Sequence, residues 1–406
     1  MTTETTYSPL RWLTGSIVLL AILGESLLWF APSPILTVIL QDLNMNFVQG
    51  GLLVSVVCLA LGAMGLVSGP LTTRFDAKYI FFMGIVLMAA GQLSMILVRS
   101  YSDLLILRLV VGLGMGLCVP IYATLTMSNF PARERPLVNT IFSALPYIAT
   151  AITFTATVPL LYTLGGSWRL TMFVFGVYVA LIAVLWAILG NKTKTEKQQK
   201  DKGLGKDRWA ILRSVIQNRE VKLLCLADIC DMWGYNFLSA YLPTYYVTEA
   251  GLSLSQSSNL TAIFPIAGII AGVGCGLWMI KVGLRKPFTW PMHLMICLGT
   301  ILAVCTSGPW RAIGVAMAGF GNAGWAPALF TMPMEFEGMT PAKVGIAFSF
   351  IFSFGYFAAF ISPLLGGYLG EIFSLKTALL LYSVVSLVAA LATFKMKETG
   401  PRYREK

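Results

Sequence analysis

Twelve apolar blocks, each close to or above the length of a membrane span, leave this chain few ways to fold. They cover residues 12–40, 48–71, 79–98, 102–127, 138–163, 168–190, 221–248, 256–280, 288–306, 309–333, 343–367 and 373–395. About 20 helical residues cross a hydrocarbon core. Inside that core every backbone N–H and C=O must be satisfied, which leaves helices or a closed barrel. The blocks do not show the ten-residue alternation of a membrane barrel. The expectation is therefore an all-α membrane protein of twelve transmembrane helices. Composition agrees: 12% of residues are charged and 57% hydrophobic, whereas a soluble domain carries about 25% charged residues. Pro32, Pro34, Pro120, Pro146, Pro243 and Pro327 are the expected kink points. The first block reads as an uncleaved span rather than a removable signal.

Lys and Arg set the orientation. With the N-terminus inside, 24 of the 29 basic residues fall in inward-facing segments and four (Arg99, Arg169, Arg311 and Lys376) face outward, while Arg108 lies within a span. The positive-inside rule then puts both termini in the cytoplasm, and a cell (inner) membrane is the expected location. The net charge of +11 is accounted for by topology and by attraction to anionic lipid. No nucleic-acid partner is expected. The basic stretch KTKTEKQQKDKGLGKDR reads as a solvated linker. A small-molecule substrate and the bilayer are the expected partners, and the chain is expected to be a monomer.

Several chemistries are disfavoured by residue supply. All seven cysteines fall in spans without metal-site spacing, and His293 is the single histidine. No metal or cofactor is expected, and no catalytic constellation supports an enzyme. The glycine run at Gly112, Gly114 and Gly116 has no preceding strand, so it is read as close helix packing rather than a nucleotide loop.

The chain repeats at about half its length. VPLLYTLGG at 158–166 matches SPLLGGYLG at 362–370, and GPLTTRFDAK at 69–78 matches GLWMIKVGLRK at 276–286. Two six-span bundles, residues 1–190 and 221–406, are expected on either side of a basic linker at 191–220, as parallel repeats. With these motifs the chain resembles the major facilitator superfamily (MFS) of secondary transporters over essentially its whole length. The resemblance rests on the loop motif Gly-x4-Arg/Lys-x-Gly-x-Arg/Lys. Its second copy keeps Gly276, Lys281, Gly283, Arg285 and Lys286. The first keeps Gly69, Arg74 and Lys78, with Asp76 where glycine is usual, and both copies lack the acidic residue of the motif, having Thr73 and Ile280. These residues would form the cytoplasmic gate. The Gly-Pro antiporter signature is missing from span five. GSWR at 166–169 and YLPTYYVTEAGLS at 241–253 resemble, loosely, the branch holding organic-anion and cyanate permeases.

The buried charges point to the chemistry. Glu25 stands roughly 20 Å from the cytoplasmic side at 1.5 Å per residue, and Arg108 comes out at about the same depth. In this superfamily spans one and four line the central cavity, so the resemblance implies that a Glu25–Arg108 pair can form and couple protonation to conformation. On span seven, Asp228 and Asp231 share one helical face, and Asp231 is the repeat counterpart of Glu25. Two unpaired carboxylates there would repel, so a proton or cation is expected on at least one. Arg108 could instead be a packing anchor bonded to neighbouring carbonyls. Trp29, Tyr122, Tyr147, Trp233, Asn236, Trp325 and Tyr356 are candidate pocket residues beside these charges. Glu335 and Glu337 are expected in a solvated or gate-forming role.

The expected function is secondary active transport of a small polar solute, an organic or inorganic anion held by Arg108, by alternating access with proton coupling through Glu25, Asp228 and Asp231. The alternative is a proton-driven exporter of a cationic or lipophilic compound, with the three acids as the recognising groups.

Overall fold

A computed structural model describes residues 11–72, 75–130, 134–190 and 208–404. Arg74 and residues 191–207 of the basic linker lie outside them. Described residues 11–190 form α1 (Arg11–Phe30), α2 (Leu36–Asp42), α3 (Phe47–Thr72), α4 (Ala77–Leu93), α5 (Tyr101–Asn129), α6 (Arg135–Thr163) and α7 (Trp168–Leu189). From residue 208 follow α8 (Arg208–Gln217), α9 (Arg219–Thr248), α10 (Leu254–Val282), α11 (Trp290–Cys305), α12 (Gly308–Gly324), α13 (Ala326–Glu335), α14 (Pro341–Ile372), α15 (Leu375–Phe394) and α16 (Pro401–Arg404).

Ten of these segments are long and apolar enough to cross a membrane. The other two spans fall outside that set for different reasons, α9 through its polar residues and α12–α13 through its division into two short helices. α9 carries Asp228 and Asp231, and α12–α13 is one span broken at Trp325. With them the all-α fold has twelve spans.

Proline acts differently at different positions. Span one breaks after Phe30, and Pro32 and Pro34 follow directly before α2 begins. Span ten breaks at Trp325, two residues ahead of Pro327. By contrast α6 continues through Pro146 and α9 through Pro243. Proline removes one helical donor, and in apolar surroundings neighbouring groups must satisfy the freed carbonyl.

The described residues fall into two compact units. One holds the residues up to Pro32, Val56–Thr153 and those from Pro159 through α7; the other holds Ser33–Ser55, Phe154–Val158 and everything from α8 onward. In the first unit, glycines of α5 set helix spacing. A Cβ on Gly112 would lie 2.9 Å from the Val57 backbone, and one on Gly114 would lie 2.6 Å from the Gly84 carbonyl. In the second unit, the Tyr241 hydroxyl donates to the Phe47 carbonyl, and the Val48 amide donates to Glu371 at 3.2 Å. These contacts seat the start of α3 on α9 and α14.

Asp76 explains the departure from glycine in the first loop motif. Its side chain caps α4 by accepting from the Lys78 amide at 3.0 Å, a task glycine cannot perform. In the second copy Gly283 ends α10 with φ +70°, where a side chain would be strained.

Candidate functional site

Two polar clusters stand among apolar helices, one in each unit. In the first unit Glu25 of α1 is buried, and its carboxylate accepts from the Tyr122 hydroxyl of α5 at 2.5 Å. Tyr122 is held edge-on by Phe81 of α4, at 5.8 Å between ring centroids. Phe81 in turn meets Trp186 of α7 at 4.6 Å, and the Trp186 indole is anchored on the Lys78 carbonyl. Four helices thus fix the donor to one carboxylate.

Arg108 does not pair with Glu25. Its guanidinium donates to the carbonyls of Leu28, at 2.6 Å, and Trp29, at 2.7 Å. The reason is local to α1. The Leu28 carbonyl would normally accept from the amide four residues on, and that residue is Pro32, which has none. Arg108, 1% exposed, supplies the missing donors at a helix C-terminus, where a cation is also favoured by the helix dipole. Depth arithmetic along straight, evenly bounded helices put the two charges level. In the structure Tyr122 reaches Glu25 from fourteen residues further along α5, about 21 Å of helix beyond Arg108. Trp29 contributes its carbonyl to this arrangement, and its ring stacks on Phe30.

The second cluster surrounds α9. Asp231 is buried and accepts from the Asn322 amide of α12 at 2.9 Å, and the Trp325 indole lies beside it. Trp325 lies at the break in span ten and packs on the His293 ring at 4.7 Å. Both His293 nitrogens are buried without a hydrogen-bond partner among the described residues. Asp228 lies one turn before Asp231, fully buried. The other pocket candidates join neither carboxylate. Asn236 bonds back to the Met232 carbonyl of its own helix. Trp233 packs on Tyr382 of α15. Tyr147 on α6 and Tyr356 on α14 are half-buried.

The second copy of the loop motif is built around an acid from elsewhere in the chain. Arg285 forks onto Glu335 at the end of α13, with N···O distances of 2.6, 3.0 and 3.1 Å. Lys286 donates to the Phe394 carbonyl at 2.8 Å. Gly276 and Lys281 lie on α10, Gly69 on α3 and Lys78 on α4. Glu335 thus supplies the carboxylate that the motif lacks at Ile280.

Sequence reasoning missed Asn322 and His293 as partners of the second cluster. Asn322 had a usable signal, an amide inside the glycine run GFGNAGWAP of an apolar span, where polar side chains seek partners.

The Major Facilitator Superfamily profile matches residues 18–338 and 224–406. The chain belongs to that superfamily. It is 23% identical over 394 residues to the Probable galactarate/D-glucarate transporter GudP of Bacillus subtilis, covering 87% of this chain and 84% of the relative. It is 21% identical over 392 residues to the gallate transporter of Pseudomonas putida, covering 89% and 86%. Among solved structures it superposes on a bacterial homolog of the human lysosomal transporter Spinster, with TM-score 0.81 at 14% identity, covering 96% and 97% of the two chains. This MFS protein is a multi-pass membrane transporter of a small molecule, not an enzyme.

Proposed function

We propose that this transporter moves a small hydroxylated carboxylate together with protons, with Glu25 as a proton carrier and Arg108 as the group that meets the anion. The observation that carries the reading is the state of Glu25. It is a buried carboxylate whose partner among the described residues is a tyrosine hydroxyl rather than a cation. No fixed positive charge among the described residues pairs with it, so its charge is free to change with its access to water. The relatives support the cargo class, since galactarate, glucarate and gallate are all carboxylates bearing hydroxyl groups. Arg108 presents a planar fork suited to a carboxylate. In this structure two backbone carbonyls occupy that fork, and an entering anion competes with them. Asp231, with Asn322 and Trp325, is a polar cluster of the second unit that can bind hydroxyls. The inner membrane and cytoplasmic termini follow from the basic residues of the loops.

Uptake into proteoliposomes checks this. With radiolabelled D-glucarate or gallate, an imposed inward proton gradient raises initial uptake at least tenfold over no gradient. Glu25→Gln removes that stimulation while leaving exchange of internal for external substrate. Uptake indifferent to the gradient in the wild type removes the proton from the scheme.

A second reading, export of a cationic or lipophilic compound, draws on one observation: the buried spans hold Glu25, Asp228 and Asp231 against Arg108. The two readings part at Arg108→Ala. Loss of glucarate binding supports the anion, and retained binding of a lipophilic cation by that variant supports the exporter.

A further inference from the structure

Asp228 is placed in a way that the rest of the second unit does not require. Its side chain is fully buried, and neither carboxyl oxygen has a hydrogen-bond partner among the described residues. Asp231, three residues on, has the donor that Asp228 lacks. The niche around Asp228 is made by a missing side chain on the facing helix: a Cβ on Gly355 of α14 would lie 2.3 Å from Oδ2. The other close atom there is Cγ of Met232, and Leu224, Cys225, Ala227 and Ile351 belong to the surrounding apolar core.

A bare carboxylate in such a setting costs several kcal/mol. Three things can neutralise it: a basic side chain, a metal cation or a proton. The charged residues of the helices packed on α9 stand elsewhere: Lys343 and Glu371 near the ends of α14, Lys376 at the start of α15, Lys281 at the end of α10, Arg208 and Arg213 on α8 and Glu335 at the end of α13. Asp42 closes α2. The titratable group that bears on Asp228 is Asp231 of its own helix, whose negative charge opposes a second one beside it. A hard metal cation takes about six oxygen ligands, and the niche offers a glycine and a thioether-bearing chain instead. A proton fits without any ligand.

We propose that Asp228 is a second proton-binding site, separate from Glu25, which takes up and releases one proton in each transport cycle. The proposal rests on the proton-coupling reading and adds a second proton to it. In the packed state of the α9–α14 seam an O–H bond on Asp228 holds the proton. When that seam admits water, the O–H bond breaks, the proton passes to a water oxygen, and the carboxylate left behind is hydrated. The next proton enters from the opposite side. Gly355 lets the seam close on a neutral acid.

Two measurements test this. Infrared spectra of the purified protein in lipid are expected to show the carbonyl-stretch band of a buried carboxylic acid in the wild type and in Glu25→Gln. Asp228→Asn, which keeps the shape of the neutral acid, removes that band, and Gly355→Ala shifts it. A band unchanged in Asp228→Asn overturns the proposal, whatever the cargo is. Reversal potentials for D-glucarate transport give the proton-to-substrate ratio, which falls by one in Asp228→Asn. A wild type that carries no protons defeats the broader reading. A coupled wild type with an unaltered ratio in Asp228→Asn defeats the second site alone.

Discussion

Arg108→Ala is expected to lose both stability and transport, with uptake falling at least a hundredfold and the folded protein weakened by about 3 kcal/mol or more. The stability figure follows from what the side chain holds. Two charge-assisted hydrogen bonds, each about 1.5–3 kcal/mol, disappear, and two buried carbonyls are left without these donors. One of those carbonyls cannot recover a helical partner, because Pro32 has no N–H to give. The effect on transport has a second origin. Leu28 lies one turn beyond Glu25 on α1, so the arginine also fixes the stretch of helix that carries the carboxylate. Lysine at 108 separates the two roles. It keeps the charge and can satisfy one carbonyl, but it lacks the planar fork. Arg108→Lys is therefore expected to recover a good part of the melting temperature while uptake of glucarate stays at least tenfold down. An alanine variant that melts within about one degree of the wild type rules out the capping role. The carbonyls of Leu28 and Trp29 would then have found other donors.

Most of the architecture was readable because bilayer physics is strict. Twelve apolar blocks, the half-length repeat and the helical close packing at Gly112 and Gly114 all follow from length, period and residue size. Partnering between charges was less readable. Glu25 and Arg108 were correctly placed on spans one and four, yet each found a different partner from the one their matched depths suggested. Sequence gives depth by counting, but it does not give helix tilt or the side from which a long side chain approaches. Pro32 held the missing clue, since a proline four residues beyond Leu28 announces an orphan carbonyl that an arginine can cap. The same limit hid the partner of Arg285. Glu335 lies fifty residues away in sequence, and the loop motif contains nothing that points to it. Asp231 and Asn322 come together across two helices for the same kind of reason.

Glu335→Ala is the substitution expected to cost the second unit most at the end that holds the α10–α11 loop, on the order of 3 kcal/mol, toward the low end for removing one member of a largely buried pair. The Arg285 and Glu335 side chains are 10% and 17% exposed, and their shortest contact is 2.6 Å. Glu335 also accepts from the Thr399 hydroxyl at 2.7 Å, so its loss leaves donors without their acceptor in both the α10–α11 loop and the segment after α15. That segment is tied down a second time. The Glu398 carboxylate accepts from the amides of Arg285 at 2.7 Å, Lys286 at 3.0 Å and Gly400 at 2.8 Å, and the Arg402 amide returns to the Gly283 carbonyl at 3.2 Å. Because these groups share partners, their removals do not add. In a double-mutant cycle Arg285→Ala on a Glu335→Ala background is expected to cost far less than on the wild type. Ending the chain after Phe394 is expected to destabilise it to a degree comparable with Glu335→Ala, since it removes Thr399 and Glu398 together. The Arg219–Glu220 contact provides the comparison. It spans 3.7 Å, with the Arg219 side chain 63% exposed, and pairs of that kind contribute about 0–1 kcal/mol. Denaturant titration in detergent micelles measures all five variants on one scale. Equal, small losses for Glu335→Ala and Arg219→Ala would mean that water, rather than Glu335, satisfies the Arg285 guanidinium.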